Sequence, residues 1–204
     1  MKLYRPVVAL AAALGCLTSH AAFVKGETGL TAPEQTITFE TLAVPPNQPV
    51  TNQLSAFGMT FSNTFANPDP GDYPNLSGQR IGNFQANISF APDFAIDFAF
   101  DLSQVSFALV AARGSATFQA WLDGVLVESA TSATSATNAS NFYGFQGIVF
   151  DQLRVRADTF DNAFLMDNLQ TVAAIPEPET WALMLAGLGL LVRSTRRFRT
   201  RASP

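Results

Sequence analysis

Between residues 35 and 172 polar and apolar residues alternate with period two, and no stretch carries the 3.6-residue stripe of an amphipathic helix. Successive side chains on a strand point to opposite faces, so this pattern commits the chain to half-buried β-strands. Thr36-Ile37-Thr38-Phe39, Gly58-Met59-Thr60-Phe61, Asn87-Ile88-Ser89-Phe90 and Ala95-Ile96-Asp97-Phe98-Ala99-Phe100 all alternate. Residues 104–111 read as a buried strand. Ala116-Thr117-Phe118-Gln119-Ala120-Trp121 meets Val125-Leu126-Val127 across Leu122-Asp123-Gly124, and Asp-Gly is the signal of a type I′ hairpin. Residues 141–150, 153–157 and 164–172 supply the remaining strands. About nine short strands punctuated by turn residues predict an all-β chain, a single β-sandwich with a jelly-roll-like layout. The Pro-rich stretches 45–49 and 67–74 are expected as loops, as is the small-residue run 131–140 (TSATSATNAS).

The two ends read as addresses rather than as fold. Lys2 and Arg5 precede an apolar run over residues 7–17, and Ser19-His20-Ala21 places small residues before a cleavage point between Ala21 and Ala22. This is the three-part pattern of a secretory signal peptide, residues 1–21. Cys16, the chain's single cysteine, offers a lipoprotein cleavage site as the alternative, although Ala13-Leu14-Gly15 fits that pattern poorly. At the other end Pro176 and Pro178 hold an extended stretch that an enzyme can grip. Thr180 suits a helix N-cap and Trp181 a membrane interface. The apolar run over residues 180–192 is expected as a short transmembrane helix of roughly 20 Å, less than a hydrocarbon core of about 30 Å. Arg193, Arg196, Arg197, Arg199 and Arg201 follow it and favour the cytoplasmic side. The secreted domain then covers residues 22–174 and the tail residues 175–201.

The net charge of −4 hides an asymmetry. Residues 22–174 hold five of the 12 basic residues and 14 of the 16 acidic ones, a net of −9. An acidic domain repels phosphate backbones, so nucleic acid is not an expected partner.

The segment PEPETWALMLAGLGLLVRSTRRFR resembles the PEP-CTERM sorting signal of Gram-negative bacteria, in which Pro176-Glu177-Pro178, Thr180-Trp181, an apolar core and a basic tail follow in this order. A likeness of this segment to one named after ice-binding proteins carries no ice-binding expectation, because no regular Thr-x-Thr repeat is present. The resemblance implies processing by exosortase, a membrane enzyme, near the triad. It implies transient residence in the inner membrane, then the cell surface or extracellular matrix, with a link to exopolysaccharide and biofilm. The domain itself is similar to jelly-roll domains common in such proteins, which open on a strand like Thr38-Phe39-Glu40 and close on one like Met166-Asp167-Asn168-Leu169.

The chemistry available to the mature domain is narrow. The only histidine, His20, falls in the signal peptide, so no Ser-His-Asp or Cys-His catalysis and no Cys/His zinc site is expected. The chain is therefore expected not to be an enzyme. A carboxylate-pair glycosidase on Asp93, Asp97 and Asp101 is the distant alternative, and alternation favours these three as solvent-facing. A structural calcium ion needs six to eight hard oxygen ligands, and Glu40, Asp158, Asp161, Asn162 and Asp167 are the candidates. Tyr73, Trp121 and Tyr143 are candidates for stacking on sugar rings. The leading expectation is a matrix protein that binds extracellular polysaccharide, and the alternative is a structural or adhesive protein with no small ligand.

Overall fold

The computed structural model describes residues 22–84, 93–159, 162–175, 185, 186 and 188. The expected signal peptide, the strand at residues 87–90, Asp161 and the motif residues Pro176, Glu177, Pro178, Thr180 and Trp181 lie outside the described residues.

The described chain is all-β, an antiparallel sheet of eleven strands. They are β1 (Ala22–Gly26), β2 (Gln35–Ile37), β3 (Pro49–Val50), β4 (Met59–Ser62), β5 (Thr64–Asn67), β6 (Arg80–Gly82), β7 (Asp93–Ala111), β8 (Gly114–Leu122), β9 (Val125–Thr134), β10 (Phe142–Thr159) and β11 (Phe164–Ala173). The order across the sheet is β3-β5-β6-β11-β7-β10-β8-β9, with β1 on β10, β2 on β11 and β4 on β7.

The sheet is folded over itself. Phe118 on β8 is the register partner of Val155, and Tyr143 lies twelve positions before Val155 on the same strand β10. In a flat sheet the two rings would stand about 40 Å apart. Their centroids are 4.9 Å apart and stacked, so β10 must turn a corner between them. The register breaks between Gln146 and Phe150 and again between Phe150 and Gln152, and Gly147 there has φ +75°. Bulges of this kind bend a strand without ending it. One layer holds β1, the first part of β10, the second part of β7, β11, β2 and β6. The other holds β4, the first part of β7, the second part of β10, β8 and β9.

Aromatic residues fill the space between the layers. Phe94, Phe107, Phe118, Phe145, Phe150 and Phe164 are fully buried. Each such ring contributes roughly 2–3 kcal/mol of transfer free energy. A second, smaller cluster lies on the outer side of the first layer, where Ala108, Val110, Phe142 and Leu165 are covered by Leu76, Tyr73 and Phe84. Side-chain amides hold that covering loop down. Asn141 donates to the Pro74 carbonyl at 2.7 Å, and Asn168 donates to the Asn75 carbonyl at 2.7 Å.

The hairpin expected at Asp123-Gly124 is present, with φ +51° and +76° at the two central residues, as a type I′ turn requires. Other expectations need correction. Residues 141–150 and 153–157 are one strand, because the bulges absorb the break in pattern. Residues 95–100 and 104–111 are likewise one strand, β7. The first four residues of the expected loop 131–140 belong to β9, where the Thr131 and Thr117 hydroxyls bond across the pair at 3.1 Å and the Thr134 hydroxyl donates to the Ala112 carbonyl at 2.9 Å. Pro49 opens the short strand β3 at the sheet's end, a place where a missing N–H costs no ladder bond. Strand β2 stops at Ile37, and Phe39 turns into the core with φ +58°.

Candidate functional site

The covering loop closes the outer side of the first layer. Among the described residues nothing covers the outer side of the second layer, and alternation decides what it shows. On β8, Ala116, Phe118 and Ala120 point into the core, so Thr117, Gln119 and Trp121 point out. On β10, Leu153, Val155 and Ala157 point in, so Gln152, Arg154, Arg156 and Asp158 point out. On β7, Phe94, Ile96 and Phe98 point in, so Asp93 and Asp97 point out.

Register sets these residues side by side. Asp97, Gln152, Trp121 and Leu126 form one row across four strands. Ala95, Arg154, Gln119 and Ser129 form the next, and Asp93, Arg156, Thr117 and Thr131 the third. The Arg154 guanidinium lies 4.3 Å from the centroid of the Trp121 ring. Its Nε donates to Gln152 Oε1 at 2.6 Å, and Gln152 Nε2 donates to Asp97. Trp121 Nε1 donates to Gln119 Oε1 at 3.4 Å. Arg156 pairs with Asp158 at 3.1 Å, both largely exposed, so this ion pair adds little to stability. Between these rows runs a groove of about 420 Å³ lined by Asp93, Thr117, Gln119, Arg154, Val155, Arg156 and Asp158. An aromatic ring beside amides, guanidinium groups and carboxylates offers both an apolar face and directional hydrogen bonds.

The other two expected sugar-stacking rings are placed differently. Tyr143 is buried at 1% exposure, with Phe118 stacked on its ring and Lys25 Nζ 5.1 Å from its centroid. Its hydroxyl donates to the Ala133 carbonyl at 3.0 Å, and burial raises its pKa. It is a core residue and offers no face to a sugar. Tyr73 sits in the covering loop, where its hydroxyl donates to Asp69 Oδ2 at 3.1 Å and Arg80 lies over its ring at 5.4 Å. It lines a separate cavity of about 240 Å³ with Phe84, Val110 and Leu165.

Asp161 lies outside the described residues, and of the other expected calcium ligands Glu40, Asp158 and Asp167 do not form one group. Asp158 is on the open face, paired with Arg156, and Asn162 gives its backbone carbonyl to Asn83 at 2.6 Å. Glu40 and Asp167, 127 positions apart in sequence, do meet beneath the covering loop. Among the described residues no group of three or more His, Cys, Asp or Glu side chains converges. Asp167 has no exposed surface and accepts from the Ser77 N–H at 2.9 Å and the Asn168 N–H at 2.7 Å. Burial pushes its pKa up to about 6, against the pull of these two donors, and the neighbouring Glu40 charge pushes the same way. The three aspartates of β7 stay apart as well: Asp97 is bonded by Gln152, and Asp101 lies at the corner of the sheet.

Sequence reasoning had not singled out Arg154, Arg156, Gln119 or Gln152. The signal was present, since Gln152-x-Arg154-x-Arg156-x-Asp158 places four polar side chains on one strand face.

Ala22, the expected first mature residue, opens β1 and pairs with Gln146. At the far end the Ala174 N–H donates to the Asp101 carbonyl at 2.8 Å and Ile175 is exposed. Residues 185, 186 and 188 are helical and exposed. Among the described residues no helix is long and apolar enough to cross a membrane. No curated protein matches the chain. Residues 174–199 match the PEP-CTERM protein-sorting motif, which implies an exported protein that passes through the membrane to the cell surface and is processed by exosortase.

Proposed function

We propose that this exosortase-sorted surface protein binds extracellular polysaccharide on the open face of its second layer, in the exopolysaccharide matrix of a Gram-negative biofilm. The observation that carries the reading is the Trp121–Arg154 pair at 4.3 Å, in which Arg154 also lines a polar groove. An indole ring matches the apolar face of a pyranose. The Arg154, Arg156, Gln119 and Asp93 side chains match hydroxyl groups that both donate and accept. The two-layer sheet supports the jelly-roll-like reading, although a fold does not fix a function. The reading is one of binding: the domain from Ala22 onward contains neither histidine nor cysteine, which removes Ser-His-Asp and Cys-His chemistry, and the β7 aspartates that a carboxylate-pair glycosidase would use are spaced four residues apart along one strand.

The test is retention on exopolysaccharide columns and glycan arrays by the protein and by Trp121→Ala and Arg154→Ala variants. Each substitution is expected to weaken binding at least about tenfold, near 1.4 kcal/mol. Tyr143→Phe, which changes only a buried hydroxyl, is expected to leave binding intact. Retention that survives both surface substitutions removes this face from the reading. Absence of any retained glycan favours a structural or adhesive protein without a small ligand.

A further inference from the structure

The large apolar side chains left exposed on the sandwich, among the described residues, are Phe57, Phe100, Val125, Leu126, Val127 and Val149. Register and hydrogen bonds gather them at one end. The Asp123 N–H donates to Asp151 Oδ2 at 3.1 Å, which ties the β8–β9 hairpin tip, with Val125 to its side, to β10 just beyond Val149. The Ala99 N–H donates to the Gly58 carbonyl at 2.9 Å, which brings Phe57 beside β7, and Gly58 abuts the Phe100 ring. Leu102 pairs with Phe150 on one side and with Ala173 on the other. The chain therefore leaves the domain at this same end, through Ala174 bonded to Asp101 and then Ile175, which is 78% exposed.

Soluble domains rarely gather their exposed apolar residues in one place without a partner for them. The position of the tail says which partner. Only residues 176–179 separate Ile175 from the apolar run 180–192, and the five steps from 175 to 180 reach at most about 18 Å. A domain tethered that closely presents this end, and no other, to whatever holds the tail.

We propose that this end of the sandwich seats on the lipid surface of the membrane while the tail is still attached, with Val125, Leu126, Val149 and Phe100 in the interfacial layer. The inference rests on reading residues 180–192 as a membrane segment. Asp101, Asp123 and Asp151 lie at the same end, so the surface favours zwitterionic lipid over anionic lipid. The same acidic residues would face one another in a pair of copies joined end to end, which disfavours self-association through this patch.

The experiment uses the full chain with Cys16→Ser, reconstituted into phosphatidylcholine vesicles. A polarity-sensitive dye is attached at Val125→Cys or, as control, at Thr137→Cys, an exposed position beyond the other end of β9, about 30 Å away. The dye at 125 is expected to shift to the blue and to be quenched by headgroup-region spin-labelled lipid, while the dye at 137 does neither. Val149→Asp is expected to abolish the response at 125 without changing the melting temperature. Replacing a share of the lipid with phosphatidylglycerol is expected to weaken it. Vesicle flotation is recorded in parallel. A chain that floats with equal dye responses at 125 and 137 overturns the proposal and leaves the membrane reading of the tail standing. A chain that does not float overturns both. A response at 125 that appears only when exosortase is reconstituted alongside assigns the patch to the enzyme and overturns the lipid surface.

Discussion

Asp167 gives the sharpest handle on the physical account. Its carboxyl is wholly buried, and its pKa lies near 6 against an ordinary value of 3.8. In the unfolded chain it ionises near the ordinary value. Between these two pH values the folded state holds one more proton than the unfolded state, so stability falls as pH rises through this window. The loss is complete above the folded pKa. A displacement of this size corresponds to about 3 kcal/mol at 1.36 kcal/mol per unit. The other carboxylates also titrate, so the informative quantity is the difference between the protein and its Asp167→Asn variant. The variant carries a fixed offset, because an amide cannot accept as well from both the Ser77 and Asn168 N–H groups. It carries no titration at this position. Urea unfolding at pH 4 and at pH 8 is expected to show the variant gaining about 2.4 kcal/mol relative to the parent across that interval, since at pH 4 the unfolded group is already more than half ionised. A flat difference refutes the burial argument. A difference of opposite sign, removed by a chelator, shows that a cation joins Glu40 and Asp167 and reverses the electrostatics.

Three further outcomes follow from other parts of the chain. Phe118 is fully buried and packs against Phe23, Phe107 and Tyr143, so Phe118→Ala is expected to cost about 3–5 kcal/mol in denaturant unfolding, and a cost below 1 kcal/mol would show that the two layers do not depend on this contact. Replacing Pro176, Glu177 and Pro178 by alanine is expected to leave unprocessed chain in the membrane fraction of an exosortase-bearing host, and wild-type processing on immunoblots removes the triad as recognition site. N-terminal sequencing of exported protein is expected to begin at Ala22, whereas a chain beginning at Cys16 with added lipid mass makes it a lipoprotein.

Local chemistry was legible where the backbone itself demands a residue type. Asp123-Gly124 announced its turn because both positions need positive φ, and few residue pairs accept that. The alternation on β8 also held the signal of the open face, since Trp121 points outward once Phe118 and Ala120 are inward, but the sequence reading offered Trp121 only as a stacking candidate. It failed at Tyr143 because the first layer is covered on both sides, by the core and by the loop over Phe142 and Leu165. In such a layer neither parity means solvent. The continuity of β10 was hidden for a different reason. A bulge changes the pattern's phase as a strand end does, and only the pairing of Gln152–Thr159 with β8 shows that the strand goes on. Nearness in sequence put Asp158 and Asn162 in one candidate group; in the structure Asp158 pairs with Arg156, and the Asn162 backbone carbonyl accepts from Asn83. Glu40 and Asp167 meet through folding alone.

The position of β11 sets an order of events. It is the last strand in sequence, yet it lies inside the first layer, paired with β7 along one edge and with β6 and β2 along the other. A chain exported from its N-terminus cannot close that layer until residue 173 has crossed, and the motif begins at residue 174. The earlier strands wait with a gap at their centre, and the pairing that fills it joins residues far apart in sequence, the slow kind of closure. Completion of the domain and arrival of its sorting tail at the membrane thus fall within a few residues of each other. The motif that addresses the chain thus follows directly on the strand that completes its first layer.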